Sequence, residues 1–159
     1  MRLHKVPESV LVVIYTLALD VLIIERADHP GFWQSVTGSK ATLDEPLHTV
    51  CVREIAEETG LSVAAEQLDD WKIVHRFAIY EHWRHRYAEG VTHNTEHVFG
   101  LCLSQRFEPR LNPLEHSRHQ WLPWRAAADA CFSWTNAEAI RRLESLQAGR
   151  RIDTDGGGV

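Results

Sequence analysis

Acidic residues are concentrated in the stretch REIAEETG, Arg53 to Gly60, where Glu54, Glu57 and Glu58 fall at i, i+3 and i+4. On a helix those spacings place all three carboxylates on one face. Like charges so spaced each cost about 0.2–0.5 kcal/mol. Negative charge in a last helical turn also opposes the macrodipole, by about 0.3–1 kcal/mol per group. Arg53 is the one adjacent cation. The run is therefore either a solvated helix face, as most charge runs are, or a set of hard oxygen donors for Mg2+ or Mn2+. Those ions prefer carboxylates, waters and substrate phosphates to an all-protein cage. The preceding segment SVTGSKATLDE (Ser35–Glu45), with its glycine and small polar residues, suits a loop of backbone donors and favours the second reading.

The surrounding pattern supplies the elements that would hold this face. A helix is expected over 46–59, with Pro46 at its first position and Gly60 as its stop. Cys51, Val52 and Ile55 gather beside the acidic face. Strands are expected at 9–17, 21–26, 70–80 and 95–104, with a short one at 118–122. The run VLVVIYTLALDVLII (Val10–Ile24) is broken by Asp20 and is shorter than the ~20 apolar residues a membrane span needs. It reads as two buried strands turning near residues 18–20. A second helix is expected over 136–147, with Ala137, Ile140 and Leu143 on one face. This order predicts one domain over 1–147, α/β or α+β, with helices packed on a mixed sheet. Residues 148–159, ending in GRRIDTDGGGV, read as a flexible tail.

Composition narrows the function classes. The chain has 159 residues, 44% of them apolar and 25% charged, and a net charge of −5. Without a basic run, binding to nucleic-acid polymers or acidic membranes is disfavoured, whereas small anionic substrates remain open. The three cysteines, Cys51, Cys102 and Cys131, form no C-x-x-C pair and read as buried or free thiols of a cytoplasmic protein. His93–His97 spells H-x-x-E-H, a zinc-protease pattern that works only on a helix. The residues that follow it are β-prone, and in a strand the two imidazoles would stand about 13 Å apart.

Gly38, Glu45 and Arg53–Leu61 together resemble the Nudix box, G-x5-E-x7-R-E-U-x-E-E-x-G-U, where U is bulky and apolar. The second half matches at every specified position, but six residues separate Gly38 from Glu45 where the pattern has five. Either the loop carries an insertion or Asp44 takes the part of the upstream acid. The resemblance implies an α/β/α sandwich with a mixed sheet flanked by helices. It also implies metal-dependent hydrolysis of a nucleoside-diphosphate-like compound. Carried over by position, Glu54 and Glu58 would be metal ligands, and Glu57 a ligand or the carboxylate that orients water. Arg53 would pair with the upstream acid and hold the loop against the helix.

Beyond the box, His29–Lys40, Trp83–His97, Pro113–Leu122 and Phe132–Ile140 resemble a bacterial Nudix group that hydrolyses dihydroneopterin triphosphate. Members of that group release pyrophosphate and leave the monophosphate, in folate synthesis, and also resemble dATP-type pyrophosphohydrolases. The resemblance makes Glu115 a further metal carboxylate, although as a loop acid it would pair with Arg118 or His116. Lys5, Arg26, Thr37, Phe77, Ala78, Ile79, Tyr80 and Ser133 match substrate-contacting positions. Lys5 and Arg26 suit phosphate oxygens, Phe77 and Tyr80 a planar ring, and Thr37 and Ser133 hydrogen bonds to it. On their own residues, Arg26 could equally be a surface ion pair, Phe77 and Tyr80 core, and Ser133 a helix cap. Trp33 is expected near the site, and Arg84 and Arg86 face either phosphate or solvent. Three functions follow: a Mg2+-dependent (or Mn2+-dependent) diphosphatase of dihydroneopterin triphosphate, a broader (d)NTP pyrophosphohydrolase, or a non-catalytic nucleotide-binding domain.

Overall fold

The computed structural model describes residues 3–155, with side chains through residue 149. The long apolar run divides into β1 (Glu8–Thr16) and β2 (Asp20–Arg26), joined by a turn in which Leu19 is left-handed at φ 65°. β1 is apolar without alternation because both of its faces are covered. Leu11, Val13 and Tyr15 enter one core, and Val10, Val12 and Ile14 enter the other.

The chain continues through β3 (Trp33–Gln34), β4 (Val36–Ser39), α1 (Leu47–Thr59), β5 (Leu68–Ala78), β6 (His93–Leu103) and β7 (His116–Pro123). It closes with α2 (Trp124–Ala130), α3 (Trp134–Arg141) and α4 (Leu143–Asp155). Among the described residues the seven strands form one sheet in the order β3-β2-β1-β6-β5, with β4 beside β1 and β7 beside β2. β1 and β6 run parallel and the other pairs antiparallel, so the sheet is mixed. α1 buries Val50, Cys51 and Ile55 on the Val10 side, and α2 to α4 bury Ala127, Ala128, Ile140 and Leu143 on the other. The result is an α/β/α sandwich.

The expected strands are present, with ends shifted by two residues or fewer. α1 differs in detail. Pro46 is its extended N-cap, φ −62° and ψ 141°, and the helix begins at Leu47. Val52 lies at the core margin, whereas Glu58 and Thr59 are buried. Gly60 ends the helix at φ 76°, donating its N–H to the Ala56 carbonyl. The single helix expected over 136–147 is instead α3 and α4, meeting at Arg142. α4 carries helical backbone to Asp155, into the segment expected to be a tail, and residues 156–159 lie outside the described part. His93–His97 belong to β6, so the zinc-protease reading lacks its helix.

Candidate active site

The acidic end of α1 is held against β4 by a glycine and an arginine. A Cβ at Gly38 would overlap the Glu54 carboxylate, so glycine is what lets that side chain lie along the strand. Arg53 donates to both Glu45 oxygens, at 2.9 and 3.3 Å, and to the Ser39 carbonyl at 3.1 Å. It also donates to Glu54 Oε1 at 2.8 Å. One guanidinium thereby fastens the loop before α1 to the helix. Glu45 additionally accepts the Ala41 N–H, whereas Asp44 turns away and accepts from Thr42.

Burial treats the three helix carboxylates differently. Glu57 is open to solvent and stands 3.8 Å from Arg53. Burial, then the neighbouring Glu57 charge, pushes Glu54 up to about 7. Glu58 is only 4% exposed, accepting the Thr37 N–H at 3.2 Å with His116 Nε2 3.7 Å away. Its burial, then Glu54 and Glu115, hold it well above the usual carboxylate range. His116 cannot neutralise it, because burial pushes that imidazole down to about 4. Glu115 comes from the loop before β7 and acts electrostatically on both Glu54 and Glu58. Its expected alternative partner Arg118 instead pairs with Glu25 at 2.8 Å.

This donor set fits a hard divalent cation. Glu54 and Glu58 repel each other in one cleft, and Arg53 reaches Glu54 but is not among the cations that act on Glu58, so a bound cation would relieve the pair. Among the described residues no three acidic, histidine or cysteine side chains already form a finished cage. That agrees with an ion that completes its shell with water and phosphate.

The cleft holds about 1000 Å³. Glu54, Glu57, Glu58 and Glu115 line one part of it, and Lys5, Arg26 and Arg86 bring positive charge to its wall. A bulge sets Arg26 there: β2 and β7 lose register after Glu25, which leaves Ser117 unpaired and sets Arg26 opposite His116. Arg26 stacks over Trp83 at 4.4 Å and binds Asp28 through two 2.8 Å hydrogen bonds. Lys5 is pushed down to about 8, first by burial and then by Arg86 and Arg26. Thr37, Phe77, Ala78, Ile79, Tyr80 and Ser133 line the same cleft. Ile79 is 4% exposed, Tyr80 is open, and Ser133 also caps α3 by accepting the Asn136 N–H.

A family model for the Nudix domain matches residues 5–143. The chain belongs to the Nudix family. It is 43% identical over 145 residues to an Escherichia coli protein named dihydroneopterin triphosphate diphosphatase, covering 89% of this chain and 95% of that one. A protein of the same name from Haemophilus influenzae is 38% identical, with 89% and 90% covered. The solved E. coli dihydroneopterin triphosphate pyrophosphohydrolase superposes with a TM-score of 0.81, covering 88% of this chain and 96% of that one. A Listeria monocytogenes Nudix hydrolase structure, 22% identical with a TM-score of 0.73, shares the fold.

Within the Nudix box the extra loop residue is absorbed before Glu45, which keeps the arginine contact; Asp44 does not take its place. Every expected binding and metal residue lines the cleft, whereas Arg53 stands behind it as a brace. Trp33, expected near the site, belongs to the core beneath α2 and α3 because β3 pairing turns it inward. Arg86 lines the cleft, but Arg84 does not, donating instead to the Ile79 carbonyl. Phe132 and Trp83 line the cleft in addition to the expected contact residues. Phe132 stacks on Phe32 at 4.3 Å and meets Trp83 edge-on at 6.2 Å, which gives the cleft an aromatic wall.

Proposed function

We propose that this protein is a Mg2+-dependent diphosphatase that converts dihydroneopterin triphosphate to its monophosphate and pyrophosphate. The observation that carries this reading is the co-location of carboxylates, cations and aromatic rings in one cleft, an arrangement matching a triphosphate on a planar ring. The relatives named for that activity support the substrate.

Glu54, Glu58 and Glu115 would hold the cation, with Mn2+ an alternative to Mg2+. Bound there, such an ion neutralises phosphate charge and acidifies water. Lys5, Arg26 and Arg86 bind phosphate oxygens, the Arg26 fork exchanging Asp28 for phosphate. Glu57, open to the cleft, orients the attacking water and takes its proton. The water oxygen bonds to phosphorus as the anhydride bond to pyrophosphate breaks. Phe77, Tyr80 and Phe132 wall the ring, and Thr37 and Ser133 offer hydrogen bonds. Arg53 fixes the loop that positions the helix acids. Three free thiols support a cytoplasmic setting, and among the described residues no helix is long and apolar enough to cross a membrane.

Pyrophosphate release from dihydroneopterin triphosphate at fixed Mg2+ tests the reading. Turnover that depends on Mg2+ and gives one monophosphate per pyrophosphate is expected; absence of product contradicts it.

A further inference from the structure

The inner end of the cleft is built from strand residues that phosphate chemistry does not use. Asn94 and Glu96 are two apart on β6 and therefore share a face. In register beside Glu96 stand Ser9 of β1 and His75 of β5. Asn94 and Glu96 are each only 4% exposed, yet both line the cleft. Asn94 Nδ2 donates to Ser9 Oγ at 2.7 Å, which leaves Asn94 Oδ1 buried without a partner. Glu96 Oε1 stands 3.4 Å from His75 Nδ1, the one side-chain partner of its carboxylate among the described residues. The Trp134 ring meets His75 edge-on at 5.3 Å.

This floor offers acceptors: a carboxylate and an amide oxygen. Buried acceptors are costly unless donors meet them, so the ligand edge that belongs here carries N–H groups side by side. A 2-amino-4-oxopyrimidine ring has such an edge, its 2-amino group adjoining a ring N–H. Adenine does not, because a bare ring nitrogen adjoins its amino group. Glu96 lies two strands from Ser39 of β4, which is about 10 Å at normal strand spacing. Glu96, Ser39 and the α1 carboxylates line one cleft, so a ring at Glu96 can carry a phosphorylated side chain toward the acids.

We propose that Glu96, flanked by Asn94, is the specificity-determining residue, its carboxylate accepting the 2-amino and adjacent ring N–H hydrogens of the pterin. Ser9 and His75 are positioning residues for the pair. The inference rests on the pterin triphosphate reading and adds to it a reason for the ring preference. Glu96→Gln replaces one acceptor with a donor of the same size and sets N–H against N–H.

The test compares wild type, Glu96→Gln and Glu96→Asp by kcat/KM for dihydroneopterin triphosphate, GTP and ATP. It also measures metal-free binding of 7,8-dihydroneopterin by tryptophan fluorescence. Glu96→Gln is expected to lower kcat/KM at least thirtyfold for the pterin and GTP, to leave ATP within about threefold, and to weaken dihydroneopterin binding at least tenfold. Glu96→Asp, which withdraws the charge from the ring, is expected to show the same selective loss to a smaller degree, and serves alone if the Gln variant does not fold. An equal fall for all three triphosphates, or unchanged pterin binding, overturns the inference. A wild-type preference for ATP over the pterin would instead overturn the substrate reading on which it rests.

Discussion

Glu58 and Glu54 are placed where ionisation costs stability, so the site acts against the fold that holds it. Glu54 stays protonated to about 7 in the folded chain, against 4.5 ordinarily. Between those values the folded state binds more protons than the unfolded state, so this contribution to stability falls as pH rises. Thermal melts in chelator should show that loss from pH 4.5 to 7. Added Mg2+ should then raise Tm more at pH 8 than at pH 5, because ligation needs the ionised carboxylate. A larger rise at pH 5 would contradict the metal assignment. Glu58→Gln keeps an acceptor for the Thr37 N–H and removes the buried charge. It should raise the metal-free Tm at pH 8 while lowering kcat at least a hundredfold. Glu57→Gln, at an open position, should lower kcat by a similar factor and leave Tm unchanged. These three acids were legible in the sequence because their spacing alone puts them on one face. Their unequal burial was not, since it depends on what β4 and the loop before β7 bring against them.

At the scale of elements, α1 and β4 act as one unit through Gly38 and Arg53. Gly38→Ala forces Glu54 off the strand and should cut kcat/KM at least tenfold, with weaker Mg2+ activation as the readout. α1 itself was readable from its apolar spacing, the preceding proline and the terminal glycine. β3 and β4 were not, because strands of two and four residues show no period. α2 was also hidden: seven residues give one pair of turns, and only Trp124, Ala127 and Ala128 mark its inner face. Phe132 was missed for the same reason, as it sits in the short link between α2 and α3.

Across the whole molecule, one sheet with both faces covered carries the two halves of the cleft. β1 made this visible in the sequence, since an unbroken apolar strand needs cover on both sides. The polar floor of Asn94 and Glu96, with His75 beside it, was not legible, because β6 opens on five consecutive polar residues and the meeting with His75 depends on β5–β6 register. The link between sheet and α3 was equally hidden: Asn136 Oδ1 accepts the buried Ser35 N–H at 2.8 Å across a hundred residues of chain. Asn136→Ala leaves that N–H unpaired and should cost about 1–3 kcal/mol in urea denaturation. The central claim, that this Nudix cleft takes a pterin triphosphate, is tested most directly by kcat/KM for dihydroneopterin triphosphate, dATP and GTP at one Mg2+ concentration. The account predicts that the pterin is preferred; a tenfold preference for either purine nucleotide would contradict it.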